Sequence, residues 1–247
     1  MERGIYSASS GGLLESRRLD LIANNLANVN TVGFKASRLV ARQQEFGDTL
    51  ASSVKEQFAR APLDHGNTPG VVDIEVRTDF SAGPVEHTGN PLNAALVDSK
   101  HFFMVQTPEG ERLTRAGNFT INGEGQLSTV DGYPVMGDGG PIPILSADAR
   151  ITKSGAVMVD AQLVGRVRVV KVEDFSKLEK EAGTRFKMQG EAESITPDLI
   201  PESVELPNVS VVEAMVEMIA TQRAFESYAK TVQTISELND TNMRTIK

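Results

Sequence analysis

The chain contains no cysteine, which excludes a disulfide framework and a thiolate metal site and suits a protein that leaves a reducing cytoplasm without an oxidation step. It has no excess of positive charge either. Its 25 Lys and Arg are outnumbered by 33 Asp and Glu, for a formal net charge of −8 and a pI near 5.0. The unselective attraction to phosphate behind most binding to nucleic acids and anionic membranes is therefore missing, and no nucleic-acid partner is expected. No apolar run approaches the roughly 20 residues that a membrane-spanning helix requires, so no membrane insertion is expected. The start, Met1-Glu2-Arg3-Gly4-Ile5-Tyr6-Ser7-Ala8, has no basic region followed by an apolar stretch. No cleavable secretory signal is expected.

Residue patterns of catalytic and metal centres are sparse. His65, His87 and His101 are isolated and lack the ligand spacing of zinc sites. Gly137-Asp138-Gly139-Gly140 has neither the lysine nor the helix opening of a phosphate-binding loop and reads as a turn. No serine sits in a nucleophile elbow. The stretch 118–126 lacks the alternating acidic ligands and closing glutamate of a calcium loop, and reads as a hairpin. Thr114-Arg115 offers an arginine suited to buried bidentate pairing, with no catalytic role. The expectation is a protein that is not an enzyme, with no cofactor and no metal.

What is present is an ordinary apolar fraction of 40% with 23% charged residues over 247 positions, enough for one large or two modest domains. The N-terminal segment 1–35 carries helical periodicity over residues 1–30, with Leu19, Ile22, Leu26 and Val29 on one seam. Gly11 and Gly12 interrupt it and together cost about 2 kcal/mol of helix propensity, so the first dozen residues are expected to fray. The helix is expected to stop between Val29 and Val32, with Gly33 left-handed and Phe34 folding back on the last turn. Residues 36–70 have no clean period, carry apolar patches at Leu39-Val40 and Phe46, end in the turn-rich 62–70, and read as a connecting region.

From 71 to 187 short β-branched runs alternate with glycine and asparagine turns, which predicts a β-rich, mostly antiparallel domain. Strands are expected at 71–76, 102–105, 119–121 and 164–170, with hairpin turns at Asn122-Gly123 and Asp131-Gly132. The Glu- and Pro-rich 188–207 reads as a return linker. Helical pattern resumes over 208–247, where Ser210 and Glu213 have capping-box spacing after Pro207. Val211, Val212, Met215, Met218, Ile219, Phe225, Val232, Ile235 and Leu238 form a stripe wider than a two-helix seam needs. The expected class is α+β: long N- and C-terminal helices pairing as a coiled coil, with the β domain inserted between them.

The width of the C-terminal stripe leaves two readings open, a closed intramolecular hairpin or a second surface for neighbouring subunits, which would propagate an open array if heterologous. The asparagines of Asn24-Asn25-Leu26-Ala27-Asn28-Val29-Asn30 are mediocre helix formers. They either bond across a tight helical interface, with Asn24 and Asn28 one turn apart, or loosen the end of the helix.

Three groups of motifs resemble one family. Ala23-Asn24-Asn25-Leu26-Ala27-Asn28-Val29-Asn30-Thr31-Val32-Gly33-Phe34-Lys35 is similar to the N-terminal signature of the flagellar axial proteins, the rod, hook and hook-associated subunits. Asn208-Val209-Ser210-Val211-Val212-Glu213, then Met218-Ile219 and Thr221-Gln222-Arg223-Ala224-Phe225-Glu226, resemble its C-terminal signature. Between them, Gly89-Asn90-Pro91-Leu92, Phe102-Phe103-Met104-Val105-Gln106-Thr107, Leu113-Thr114-Arg115-Ala116-Gly117-Asn118-Phe119, Gly125-Gln126-Leu127 and Gly132-Tyr133-Pro134-Val135 resemble its shared β domain.

The resemblance implies a structural subunit of the flagellar basal-body rod that polymerises through its terminal helices and transmits torque. The length is closest to a proximal-rod subunit, with the distal-rod type next. It further implies partners among copies of itself and other rod proteins, export by the flagellar type III apparatus without signal cleavage, and location in the basal body across the periplasm and cell envelope. An assembly interface is expected at Leu19, Ile22, Asn24, Asn25, Leu26, Asn28, Val29, Gly33 and Phe34, and at Val211, Met215, Met218, Ile219, Phe225, Val232 and Ile235. The alternatives are a transient assembly or capping factor using the same ends, and a wall hydrolase, for which no acidic pair is evident.

Overall fold

The computed structural model describes residues 2–43, 72–146, 148–181, 183–190 and 192–245. Most of the expected connecting region, including Phe46 and 62–70, lies outside them. The described residues divide into two compact units. One lies within Met1–Leu26, Ser37–Arg77 and Ser210–Lys247, the other within Ala27–Ala36 and Thr78–Val209. The class is α+β.

The first unit holds helix α1 (Glu2–Ala27), helix α2 (Val211–Thr245) and the paired strands Ser37–Gln43 and Val72–Thr78. The helix α1 runs unbroken through Gly11 and Gly12, in place of the expected fraying. A Cβ on Gly11 would lie 2.7 Å from the Tyr228 ring, so glycine here admits a neighbouring helix, whose packing supplies what propensity lacks. The end of α1 falls two residues before the earliest expected stop. Asn28 accounts for this: its carbonyl accepts from Thr31 N at 3.0 Å and its Oδ1 from Thr31 Oγ1 at 3.2 Å, bonds that compete with another helical turn. Ser210 caps α2, its Oγ accepting from Glu213 N at 3.4 Å and its carbonyl from Ala214 N at 2.9 Å. The helix therefore starts at Val211, and Asn208 is outside it.

The second unit is organised on a six-stranded antiparallel sheet. Its strand order is Leu178–Lys180, Arg185–Met188, Gly110–Thr114, His101–Thr107, Val169–Lys171 and Glu193–Ile195. The run 102–105 is buried throughout because both sheet faces are covered. Phe103, Val105 and Val169 join one core with Leu127, Val135, Val157 and Leu199. Phe102, Met104 and Val170 join a second with Leu113, Val172 and Phe186. Phe80 stacks on Phe175 at 4.6 Å and edges against Phe102 at 5.9 Å in that second core.

Three expectations change in this unit. The run 164–170 is two strands: Gln162–Arg166 belongs to a three-stranded sheet and Val169–Lys171 to the six-stranded one. In place of a linker, 188–207 contains Glu193–Ile195, Leu199–Pro201 and Ser203–Glu205, the last two pairing with Ala94–Leu96 and Val85–His87. At the Asn122-Gly123 turn the positive φ falls on Gly125, +73°, and Asn122 Oδ1 accepts from Glu124 N and Gln126 N. That hairpin is wider than a two-residue turn. Gly132, at φ +85°, sits in the expected second turn.

Candidate assembly surface

The N-terminal signature divides between the two units. Within the first, Asn25 forms a reciprocal pair with Ser37: its Nδ2 donates to Ser37 O and its Oδ1 accepts from Ser37 N, both at 2.9 Å. The amide thus imitates a strand neighbour, the local bonding at which asparagine excels. Asn25 serves this chain's own fold in these bonds. Asn24 is exposed, and Leu19, Leu26, Asn28 and Val29 are half-buried beside buried Ile22.

Gly33 and Phe34, expected at the assembly interface, are instead buried in the second unit. Gly33 has φ +70°, the left-handed conformation expected of it, and a Cβ there would lie 2.4 Å from Ala116 N. Phe34 is 1% exposed, with Lys180 Nζ 4.1 Å above its ring centroid, a cation–π contact. Its side chain is turned into the β-rich unit. Both residues anchor the segment that follows α1.

That anchor closes on a buried charge network. Lys35, Arg115 and Glu205 are 0%, 1% and 2% exposed. Lys35 Nζ donates to Glu205 Oε1 at 2.7 Å and to Ser81 O at 2.6 Å. Arg115 donates to Glu205 Oε2 from Nε at 2.8 Å and to the carbonyls of Asp98 and His101 at 2.6 and 2.7 Å. Thr114-Arg115 suggested a buried arginine in bidentate pairing; Arg115 is buried, but its Nε and Nη2 both face the single oxygen Oε2. Burial lowers the Lys35 pKa, with the Glu205 carboxylate opposing the shift, and burial lowers that of Lys180 to about 8. Lys180 Nζ donates to Lys35 O at 2.7 Å.

Asn208 completes the anchor. Its Oδ1 accepts from Ala36 N at 2.8 Å and its Nδ2 donates to Asp79 O at 2.8 Å, while Asp79 N donates to Ala36 O at 2.8 Å. Lys35 and Asn208 belong to the terminal signatures and Glu205 to the expected linker, but the sequence assigned none of them a role. Their partners lie 170, 172 and 129 positions away, beyond any local period, and only the polar Glu205 within the apolar setting of Val204 and Leu206 hints at a buried charge.

The helices present a different surface. Ala214 and Thr221 of α2 are buried and Met218, Val232 and Ile235 half-buried, whereas Val211, Val212, Met215, Val216 and Ile219 are exposed, Val212 to 72%. In the same unit a groove of about 470 Å³ runs between the helices. Ala8, Ser9, Gly12, Leu13 and Ser16 line it from α1, and Phe225, Tyr228, Ala229 and Val232 from α2. The partners of Phe225 and Val232 there come from the first half of α1, upstream of the seam Leu19 to Val29. Among the described residues, no cluster of three His, Cys, Asp or Glu could hold a metal ion, and no helix is long and apolar enough to cross a membrane.

Comparison with known proteins matches three family models. Residues 5–35 match "Flagella basal body rod protein", 96–159 "Flagellar hook protein FlgE/F/G D1 domain", and 200–245 "Flagellar basal body rod FlgEFG protein C-terminal". The chain is 33% identical to the flagellar basal-body rod protein FlgF of Caulobacter vibrioides, covering 97% of this chain and 96% of that one. It is 32% identical to the flagellar basal-body rod protein FlgG of Bacillus subtilis, covering 96% and 97%. To FlgF of Salmonella typhimurium it is 30% identical, covering 96% and 95%.

Proposed function

From the premise that this chain belongs to the flagellar basal-body rod protein family, we propose that it is a noncatalytic subunit of the basal-body rod whose terminal helices pair and join neighbouring subunits into a torque-bearing polymer. A proximal-rod position fits its likeness to both FlgF and FlgG. The observation that carries the reading is the exposed row Val211, Val212, Met215, Val216 and Ile219 at the start of α2. Each such side chain gains on the order of 1.5–3 kcal/mol on full burial, and a contiguous apolar strip of this kind marks an interaction surface. The coiled-coil pairing begins at Gly11 and Tyr228, and neighbours complete it along the faces left open. Gly33 and Phe34 leave the interface set, because their side of the chain is spent on the β-rich unit.

The same reading has the chain leave the cytoplasm through the flagellar type III export apparatus, without signal cleavage, to assemble in the cell envelope beside other rod proteins. Ile219→Asp is the sharpest test. Ile219 is 52% exposed, so the substitution leaves the isolated chain folded while placing a charge in the subunit contact, and motility and the protein's presence in purified basal bodies should both be lost. Unchanged motility sinks the reading. Retained motility-dependent action with the wild-type protein absent from finished basal bodies, by cryo-microscopy, would assign a transient capping role instead.

A further inference from the structure

Glu205 closes the short strand Ser203–Glu205, and all its acceptor capacity is directed at distant parts of the second unit. Oε1 takes Lys35 Nζ at 2.7 Å and Gly83 N at 3.0 Å. Oε2 takes Arg115 Nε at 2.8 Å and Nη2 at 2.5 Å. Its main-chain carbonyl takes Gly33 N at 2.8 Å. One carboxylate is thereby shared as the ion-pair partner of two buried cations, and a buried cation left without its partner is strongly destabilising. The two cations differ in what else holds them. Arg115 keeps two carbonyl acceptors from the loop and strand around 98–101, whereas Lys35 keeps a single carbonyl, Ser81 O, among the described residues.

We infer that Glu205 is a clasp: it makes the seating of segment 27–36, which follows α1, conditional on the closing strand Ser203–Glu205, which precedes α2. Until that strand pairs with Val85–His87, Lys35 lacks the carboxylate it is hydrogen-bonded to and Gly33 its carbonyl, so the segment stays unseated. The root of one terminal helix is thus set by the root of the other. The inference makes no use of polymerisation, so it and the assembly reading fail separately.

Residue-resolved amide hydrogen exchange on the full chain tests it. The probes are Gly33 and Ala36, bonded to Glu205 O and Asn208 Oδ1, against Met104 and Gln106, bonded to the carbonyls of Arg168 and Pro134. Glu205→Gln should accelerate exchange at Gly33 and Ala36 by about tenfold or more, with Met104 and Gln106 within about twofold of wild type. Adding Lys35→Met, which removes the stranded cation, should slow Gly33 and Ala36 again. Unchanged rates at Gly33, equal acceleration at Gly33 and Met104, or further acceleration in the double variant would each overturn the clasp. If Glu205→Gln does not fold, Lys35→Met alone decides: it should speed Gly33 and Ala36 and spare Met104, and rates that match wild type at all four would overturn it.

Discussion

Ala161 holds φ +66° beside Asp160 at +48°, between the strands Ala156–Val159 and Gln162–Arg166. An alanine gives up about 1 kcal/mol to adopt this conformation, which glycine reaches freely. Ala161→Gly should therefore hold or raise the thermal midpoint despite glycine's looser unfolded state, while Gly33→Ala should lower it by an amount matching 2 kcal/mol or more. Lys180 sets a pH dependence. Its folded pKa is about 8 against 10.5 in the free side chain, so between those values the unfolded chain binds the extra proton and stability rises with pH. Below about 8 both states are protonated and the contribution is flat. Denaturant midpoints of wild type minus Lys180→Met should be constant below pH 8 and climb above it; a difference that falls above pH 8 contradicts the assigned burial. At this scale the sequence disclosed Arg115 and the left-handed Gly33. It did not disclose that Asn25 would bond Ser37 or that Phe34 would be buried under Lys180, because both depend on contacts beyond a helical period.

Among the elements, α1 tests the role of paired glycines. A Cβ on Gly11 meets the Tyr228 ring at 2.7 Å, whereas one on Gly12 lies at an ordinary 3.7 Å from Tyr228 Cβ. Gly12→Ala should gain most of the roughly 1 kcal/mol of helix propensity that glycine forgoes, and Gly11→Ala should gain less or lose, as thermal melts followed by helical circular dichroism would show. Equal gains from both would mean that the helices do not meet at Gly11. Both helices were legible, since a period of 3.6 persists over many turns, and so were the strands Val72–Thr78 and His101–Thr107, whereas Ser37–Gln43 lies in what read as a connecting region. The three strands within 188–207 were not, being three residues each and rich in residues that favour turns. Nor did the run 164–170 announce its division, because the alternation of valine with glycine or arginine continues through Val167 and Arg168, where the chain passes from one sheet to another.

For the molecule as a whole, the extent of the β-rich unit is the measurable quantity. Limited proteolysis of the full chain should leave a core whose C-terminal limit lies beyond Glu205, because Leu199–Pro201 and Ser203–Glu205 pair with strands more than 100 positions earlier. A core ending near Lys187, where the sequence alone placed the boundary, would contradict that pairing. The two-unit plan was visible as a change of periodicity. The assignment of 27–36 to the β-rich unit was not, since that stretch sits inside the N-terminal signature and joins its unit only through long-range bonds.

Three of the four places where the chain passes between its units fall within two residues of Ala36, Asp79 and Asn208, which are bonded to one another. A module sewn shut at its own neck can be changed in size without moving the stitches. New sequence spliced into the turn at Asp160-Ala161 would lengthen the body while leaving the terminal helices with the ends they had before, which makes this chain a carrier for grafted domains.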